Sequence, residues 1–514
     1  MKQEIYDIVI VGAGLGGLSA GAKCAKAGKS VLLIDKEPQS GGMAANFTRK
    51  GFEFDISLNS FGVNSEIRKF FHDVGIEDRI ELVSPESGQR YINTFDNTDI
   101  NLSARKSSYA ENISQYLGID KKPLDKYMEY LKRTGRNLDI NSIKCNGLAK
   151  ITEAIKTLLR DPSCILHINS KKSAEDLIGS FITMNGATGR KLRHILLSRF
   201  NCFDEDYKTL SPFFFSIAMD TLLADDESGT NGEYYIKGGS GKLSSTLADA
   251  ITACSAGNRI LTRHKAVKLI ADDHNRICGV DYIDMKSKRH QTVFAKKVIV
   301  NAPIPHAVSQ LLPTQCIRIR KHARRYRLSQ RSSVQIYIAL KNSIQSAYNT
   351  ALVDPAVRHC PETGVSITNY SAIDSGLAQP AATIRFYDHI SSWAGMDESG
   401  NWKKHDRYTE QKAKWAEYYI DLCDRVVPKL KENALYYNVA TPVSIQRHIN
   451  SPYGSYYGYS QTAGQTGMDR MDLKSCVPNL FFAGAYTKPG LGVTCTLLSG
   501  DKCADLVLAE LDRK

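Results

Sequence analysis

The sequence predicts an α/β protein: a three-layer domain built on a parallel sheet, with a helical subdomain and an α+β domain inserted into it. Three observations predict this. The apolar, β-branched run Asp7–Val11 leads into a glycine turn and then a small-residue helix. A second apolar run, Ser30–Ile34, follows that helix and ends on an acid. A third run, Leu480-Phe-Phe-Ala-Gly484, meets another glycine-rich turn near the far end of the 514-residue chain.

The opening elements justify themselves in order. Gly12-Ala-Gly14-Leu-Gly-Gly17 fits GxGxxG between a strand and a helix, and Asp35 lies 23 positions after Gly12. Gly12 allows the tight turn, Gly14 lets backbone approach a pyrophosphate, and Gly17 lets the helix sit on the strand. The N–H groups at the helix start face a diphosphate. Asp35, with Lys36 beside it, is expected at a ribose, where a carboxylate repels a 2′-phosphate. The unit is therefore a Rossmann-like dinucleotide site, and NADP is disfavoured.

The glycine pair Gly41-Gly42, then Met43 and the hairpin-like Gly51–Asp55, begin to resemble the FAD-dependent amine oxidase and phytoene desaturase superfamily. Tyr234–Leu243, with Gly238-Gly239-Ser-Gly241, and the helix and strands after it resemble a second block of that superfamily. The resemblance implies FAD as cofactor, with Gly41 and Gly42 lying along the flavin and Val267 pairing with the adenine through its backbone. The arginine usual after the glycine pair is Met43 here. At the closing turn, Gly484, Gly492, Val493 and Thr494 would meet the ribityl diphosphate or the ring edge that turns anionic on reduction. Pro489-Gly-x-Gly492-Val493 with Ser499-Gly500 is most similar to the carotenoid isomerase and retinol saturase branch.

These blocks imply a discontinuous FAD-binding domain over 1–75, 230–308 and 477–514. A mainly helical insertion is expected over 76–229, and a substrate domain of sheet and helices over 309–476. Pro123–Lys132 has helical spacing, and Ser173-Ala-Glu-Asp176 reads as a helix cap. Phe213-Phe-Phe215, continuing to Ile217, Ala218 and Met219, reads as core of the helical insertion.

Composition bounds the partners. Lys and Arg number 67 against 54 Asp and Glu, a net charge of +13. This favours anionic partners. The basic stretch Arg318–Arg331 would align Arg320, Arg324, Arg327 and Arg331 on a helix face. It reads as a solvated face or an anionic membrane contact, and no nucleic-acid motif accompanies it. The 12 cysteines form no CxxC pair, which suits reduced thiols. No metal site is expected. With no export signal or spanning segment in view, a cytoplasmic protein is expected, peripheral at most to the inner face of a membrane. The sequence sets no oligomeric state.

A flavin carries hydride chemistry itself, so few side chains need be conspicuous. Cys495, at a helix start, would have a depressed pKa. Tyr457 could line the ring pocket or donate a proton, and Asn59 would face substrate. Arg385 is a weaker candidate. The implied reaction is desaturation, saturation or cis–trans isomerisation at a C–C double bond of a small apolar, isoprenoid-like substrate. Two alternatives stay open. One is an amine oxidase-like enzyme with Tyr457 and Tyr486 as an aromatic cage. The other is a non-catalytic escort protein on the same fold.

Overall fold

Burial on both faces is what the opening strand's composition demands, and the computed structural model places that strand inside a parallel sheet. The structure describes residues 5–85, 88–137, 172–182, 185–200, 207–224, 231–359, 364–377, 379–397, 402–490 and 492–513. The remaining parts of the expected helical insertion lie outside these residues.

Arg259–Leu261, Val31–Ile34, Ile5–Val11 and His290–Val300 run side by side and parallel. Leu480–Phe482 adds to the C-terminal end of His290–Val300, opposite Val298, Ile299 and Val300. The N-terminal end of that same long strand joins Ile277–Asp284 and His264–Ala271 in an antiparallel meander. One strand thus belongs to two layers. The helices Leu15–Lys26, Ser240–Cys254 and Gly492–Leu511 form the third, packing Leu18, Leu247, Ile251, Leu497 and Leu498 against Ile8, Ile10 and Leu33. The opposite sheet face, with Val9, Val11, Leu32 and Val300, packs on Leu269 and Val280 of the meander.

The opening and closing helices cross where neither has a side chain. A Cβ on Gly16 would lie 2.8 Å from the Gly484 Cα and 2.6 Å from the Asn301 Oδ1. A Cβ on Gly500 would lie 2.2 Å from the Gly16 carbonyl oxygen. Beyond the crossing, Ser19 Oγ donates to the Leu497 carbonyl at 2.7 Å. Lys23 meets Asp501 at 2.5 Å and Asp505 at 2.7 Å. Burial opposes the charge on Lys23, but these two carboxylates outweigh it and raise its pKa.

A second sheet has seven strands in the order Ala434–Ala440, Arg331–Leu340, Ala381–His389, Val365–Asn369, Asn349–Val353, Gln89–Asn93 and Thr98–Leu102. The last two strands come from the stretch expected to be helical, so that insertion lends the sheet a hairpin. Alternation gives the sheet two chemistries. Val334, Ile336, Ile384, Phe386 and Ile367 pack beneath the helix Tyr408–Asp424. The other face carries Gln335, Thr383, Arg385, Ser366, Thr368, Asn349 and Gln89, brought together by the registers of neighbouring strands. Elsewhere in the insertion, Ser173 and Asp176 form the expected reciprocal cap.

The basic stretch departs from its expected single helix. The helix spans only Ile317–Ala323, and Arg331 begins a strand. Arg320 turns inward, donating to the carbonyls of Val308, Leu312 and Pro313. Arg318, Lys321, Arg324, Arg325 and Arg327 remain exposed, beside Ile317 at 57% exposure.

Gly16→Val is expected to separate the two glycine turns and destabilise the protein by about 1–3 kcal/mol or more, measured by urea unfolding. Gly179→Ala, in a helix where a Cβ meets nothing within 4 Å, is expected to stabilise it by about 0.5–1 kcal/mol. Equal behaviour of the two variants would contradict the crossing.

Candidate active site

A cavity of about 730 Å³ runs from the ends of the first two strands, past the start of the closing helix, to the helical insertion. At its nucleotide end, Gly12 takes φ +101° and Gly41 φ +117°, backbone conformations that favour glycine. Gly41 donates its N–H to the Ala13 carbonyl at 2.7 Å. Gly14 and Gly42 come so close that a Cβ on Gly42 would sit 3.4 Å from the Gly14 Cα. No side chain caps the opening helix and its first turn holds no acid, so its N–H groups are left to an anion.

The Asp35 carboxylate accepts from the N–H groups of Ala13 at 2.6 Å and Glu37 at 2.8 Å. Burial raises its pKa against these bonds. Lys36 lines the cavity and donates to the Arg447 carbonyl at 2.6 Å and to Asn450 Oδ1 at 3.0 Å. Burial lowers its pKa. His448 Nδ1 lies 3.0 Å from Glu37 Oε2, and Asn450 Nδ2 lies 3.3 Å from His306 Nε2. The helix Pro442–Ile449 thus reaches across to cover the nucleotide end, a lid of polar contacts that no motif announced. Burial pushes His306 down to about 4 and keeps it neutral at pH 7.

The other expected cofactor residues divide into wall and support. Met43, Gly492, Val493 and Thr494 line the cavity. Thr494 Oγ1 bonds the Gly62 carbonyl, tying the closing helix to the strand Phe61–Val63. Gly17 stands behind the wall, where a Cβ would lie 2.1 Å from the Gly12 carbonyl oxygen, as close helix–strand packing requires. Gly484 corrects its expectation: its N–H is taken by Ser499 Oγ at 2.9 Å, so it serves the crossing and offers no donor to a ligand. Val267 sits at a bulge where the neighbouring strand skips it, between Ala266 and Lys268. His264, Lys265 and Ala266 line the cavity there. Asn301 went unnoticed in the sequence. Its Nδ2 donates to the Gly12 carbonyl at 3.2 Å, beneath the point where both glycine turns meet.

At the far end, Phe213, Phe214, Phe215 and Met219 are buried in the core of the insertion as expected, and Phe213, Phe214, Ile217 and Ala218 also line the cavity. Facing them are Gln89, Asn349, Ser366 and Arg385 from the polar face of the large sheet. Asn349 Oδ1 is buried without a hydrogen-bond partner.

The three expected catalytic residues all line the cavity. Asn59 is held by its neighbours: Nδ2 donates to Thr368 Oγ1 at 2.5 Å, and Oδ1 accepts from the Tyr370 hydroxyl at 3.0 Å. Cys495 reverses its expectation. Burial pushes its thiol up to about 11, although the nearby Arg470 pulls the other way. Tyr457 stands edge-on to Tyr456, ring centroids 4.5 Å apart. Tyr486, its supposed partner in an aromatic cage, has its hydroxyl 2.6 Å from Ser451 Oγ, and Gly458 covers one ring face so closely that a Cβ there would lie 3.0 Å from the ring.

A glycine cradle that side chains would fill, an uncapped helix start and a carboxylate just after the second strand, opening into a long cavity, define a dinucleotide-dependent oxidoreductase. Residues 15–508 match the family of flavin containing amine oxidoreductases, and the chain belongs to that family, with FAD as its cofactor. It is 22% identical to the all-trans-retinol 13,14-reductase of Danio rerio, over 88% of this chain and 78% of that protein. It is 24% identical to prolycopene isomerase 2, chloroplastic, of an Oncidium hybrid cultivar, over 99% of this chain and 85% of that one. Putrescine oxidase in its putrescine-bound structure shares the fold at 13% identity, with a TM-score of 0.62 over 98% of this chain and 99% of that one.

The raised Cys495 pKa sets a pH dependence. At pH 8 its thiolate fraction is roughly 10⁻³, against about a quarter for an ordinary thiol near 8.5. Mapped by mass spectrometry, iodoacetamide should modify Cys495 about 10²-fold more slowly than exposed Cys254 and Cys476. Its rate should still be climbing well above pH 8. A plateau below pH 8 would reject the neutral thiol.

Proposed function

We propose that this flavoprotein adds, removes or relocates hydrogen at a C–C double bond of a conjugated, isoprenoid-like substrate that carries an oxygen function at one end. The single observation behind this reading is the split lining of the far cavity. Phe213, Phe214, Ile217 and Ala218 offer an apolar wall to a polyene body. Gln89, Asn349, Ser366 and Arg385 offer donors and acceptors to a hydroxyl or carboxylate. The named activity of the retinol reductase above agrees with such a substrate, and that of the isomerase with its polyene body. The occupation of Tyr486 by Ser451 and Gly458 weighs against an amine cage.

FAD bound in this cavity supplies hydride exchange with a substrate carbon. Gly12, Gly14, Gly41 and Gly42 would admit its diphosphate, Asp35 its ribose, and the backbone of Val267 its adenine. Gly492, Val493 and Thr494 present the closing helix start to the ring. Tyr457 is the side chain at that end that can move a proton, its phenol being both donor and acceptor. Cys495, neutral and half-buried, packs against the reaction site, and Asn59 positions the loop that carries it.

The test is anaerobic. The bound FAD is photoreduced, and polyene alcohols, polyene acids, polyene hydrocarbons and primary amines are added separately. Reoxidation by an oxygenated polyene, or its conversion to a double-bond isomer on chromatography, is expected. Reduction of the oxidised flavin by an amine with release of peroxide would overturn the reading. A response to hydrocarbons alone would remove the oxygenated end.

We further propose that Ile317, Arg318, Lys321, Arg324 and Arg325 dock on an anionic membrane, from which such a substrate would be drawn. Exposed cations around one exposed apolar side chain suit a lipid surface. Sedimentation with phosphatidylserine vesicles should fall about tenfold or more when Arg318, Lys321, Arg324 and Arg325 are reversed to glutamate, at about 1 kcal/mol per cation. Undiminished sedimentation would dismiss the surface. Among the described residues, no helix is long and apolar enough to cross a membrane.

A further inference from the structure

Behind the closing turn the chain buries a guanidinium that, among the described residues, no carboxylate neutralises. Arg470 is 1% exposed. Its Nη2 donates to the Ala485 carbonyl at 2.5 Å and its Nε to the Thr487 carbonyl at 3.2 Å. Both Nη atoms reach the Tyr459 carbonyl at 3.3 Å. With the Gln461 amide turned so that its oxygen faces the guanidinium, that oxygen accepts from Nη1 at 2.6 Å and from Nη2 at 3.3 Å. Every acceptor is a neutral dipole. Of the nearest acids in sequence, Asp469 is exposed and Asp472 is paired with Lys488. Among the described residues no acid forms an ion pair with Arg470.

A buried cation held only by dipoles is costly unless an opposite charge comes close in the working state. Burial lowers the Arg470 pKa to about 10, so below that pH the side chain stays charged, neutral solution included. The backbone it grips belongs to the wall of the cavity: Ala485, Tyr486, Lys488 and Pro489 all line it, as does Cys495, which feels the same charge. The start of the helix Gly492–Leu511 adds its dipole in the same place. Positive potential therefore emerges at the closing-helix end of the cavity, where the lining cation Lys488 is itself paired with Asp472.

We propose that Arg470 is a positioning residue that acts through the closing turn to stabilise negative charge on the reduced FAD, and so raises the reduction potential of the protein. The proposal rests on FAD as the cofactor and is independent of the substrate. Charge delivered through preorganised backbone in a water-poor site counts for more than the same charge in solvent.

The experiment uses the FAD-loaded protein, Arg470→Lys and Arg470→Gln, with no substrate. Three quantities are read: FAD stoichiometry, affinity for sulfite (which adds to oxidised flavin as an anion) and the midpoint potential against reference dyes over a pH series. Wild type is expected to take up one proton per two electrons at neutral pH, the signature of an anionic reduced flavin. Arg470→Gln should bind sulfite about tenfold or more weakly and show a lower potential, whereas Arg470→Lys should keep most of both. Unchanged sulfite affinity and potential in Arg470→Gln at full FAD content would overturn the proposal. So would equal losses in the Lys and Gln variants, which would trace the effect to loop order rather than charge. If Arg470→Gln fails to fold, the wild-type proton count still decides: two protons per two electrons at neutral pH overturns it.

Discussion

The structure depends on two glycine turns, drawn from opposite ends of the sequence, approaching to backbone contact over one asparagine. Gly16, Gly484 and Gly500 leave no room for a Cβ, and Asn301 fills the space beneath them. That approach sets the crossing of the opening and closing helices, and with it the position of two helix starts along one cavity. Interiors pack too densely to yield even a methyl group there. The ion pairs of Lys23 and the bond from Ser19 lie further along the crossing and hold its angle, but they act only once the glycines have met.

The parts of the fold legible in the sequence are those whose physics is local. A β-branched run, a turn needing positive φ and a small-residue helix announce themselves within forty residues, and the opening strand and helix formed as expected, with Asp35 directly after the second strand. The cap at Ser173 was equally plain, because both partners lie within one turn. What was not legible depends on distant neighbours. Gln89–Asn93 reads as strand only once Asn349–Val353 lies beside it. The inward turn of Arg320 follows from the carbonyls of Val308 and Leu312, which sequence spacing does not reveal. Cys495 has the helix start that lowers a thiol pKa, yet burial of that start outweighs the dipole. Asn301 could have been suspected, as a polar residue ending the buried run Val298–Val300.

The large sheet shows how one element serves two solvents. Its strands alternate so that Val334, Ile336 and Phe386 anchor the domain through the helix behind it, while Gln335, Arg385 and Ser366 face the other way. Such a face would be ordinary on a sheet open to water. Here it roofs a cavity whose opposite wall is phenylalanine, so its polarity is retained within an enclosed space, where each unmet donor or acceptor is expensive. Asn349 Oδ1 is one such atom. The division of labour between faces lets the scaffold keep its core unchanged while the roof varies.

The long strand His290–Val300 has a consequence for biosynthesis. Its N-terminal end is zipped to Ile277–Asp284 as soon as that hairpin forms, whereas on the same edge the neighbour of Val298–Val300 lies some 180 residues downstream, at Leu480–Phe482, its other edge being paired with Val9–Val11. A chain emerging from the ribosome therefore carries a half-paired strand and an open nucleotide cleft until Leu480–Phe482 and the helix after it are made. Cofactor capture thus waits on that distant segment, and the exposed edge must be shielded while the translation machinery completes the wall.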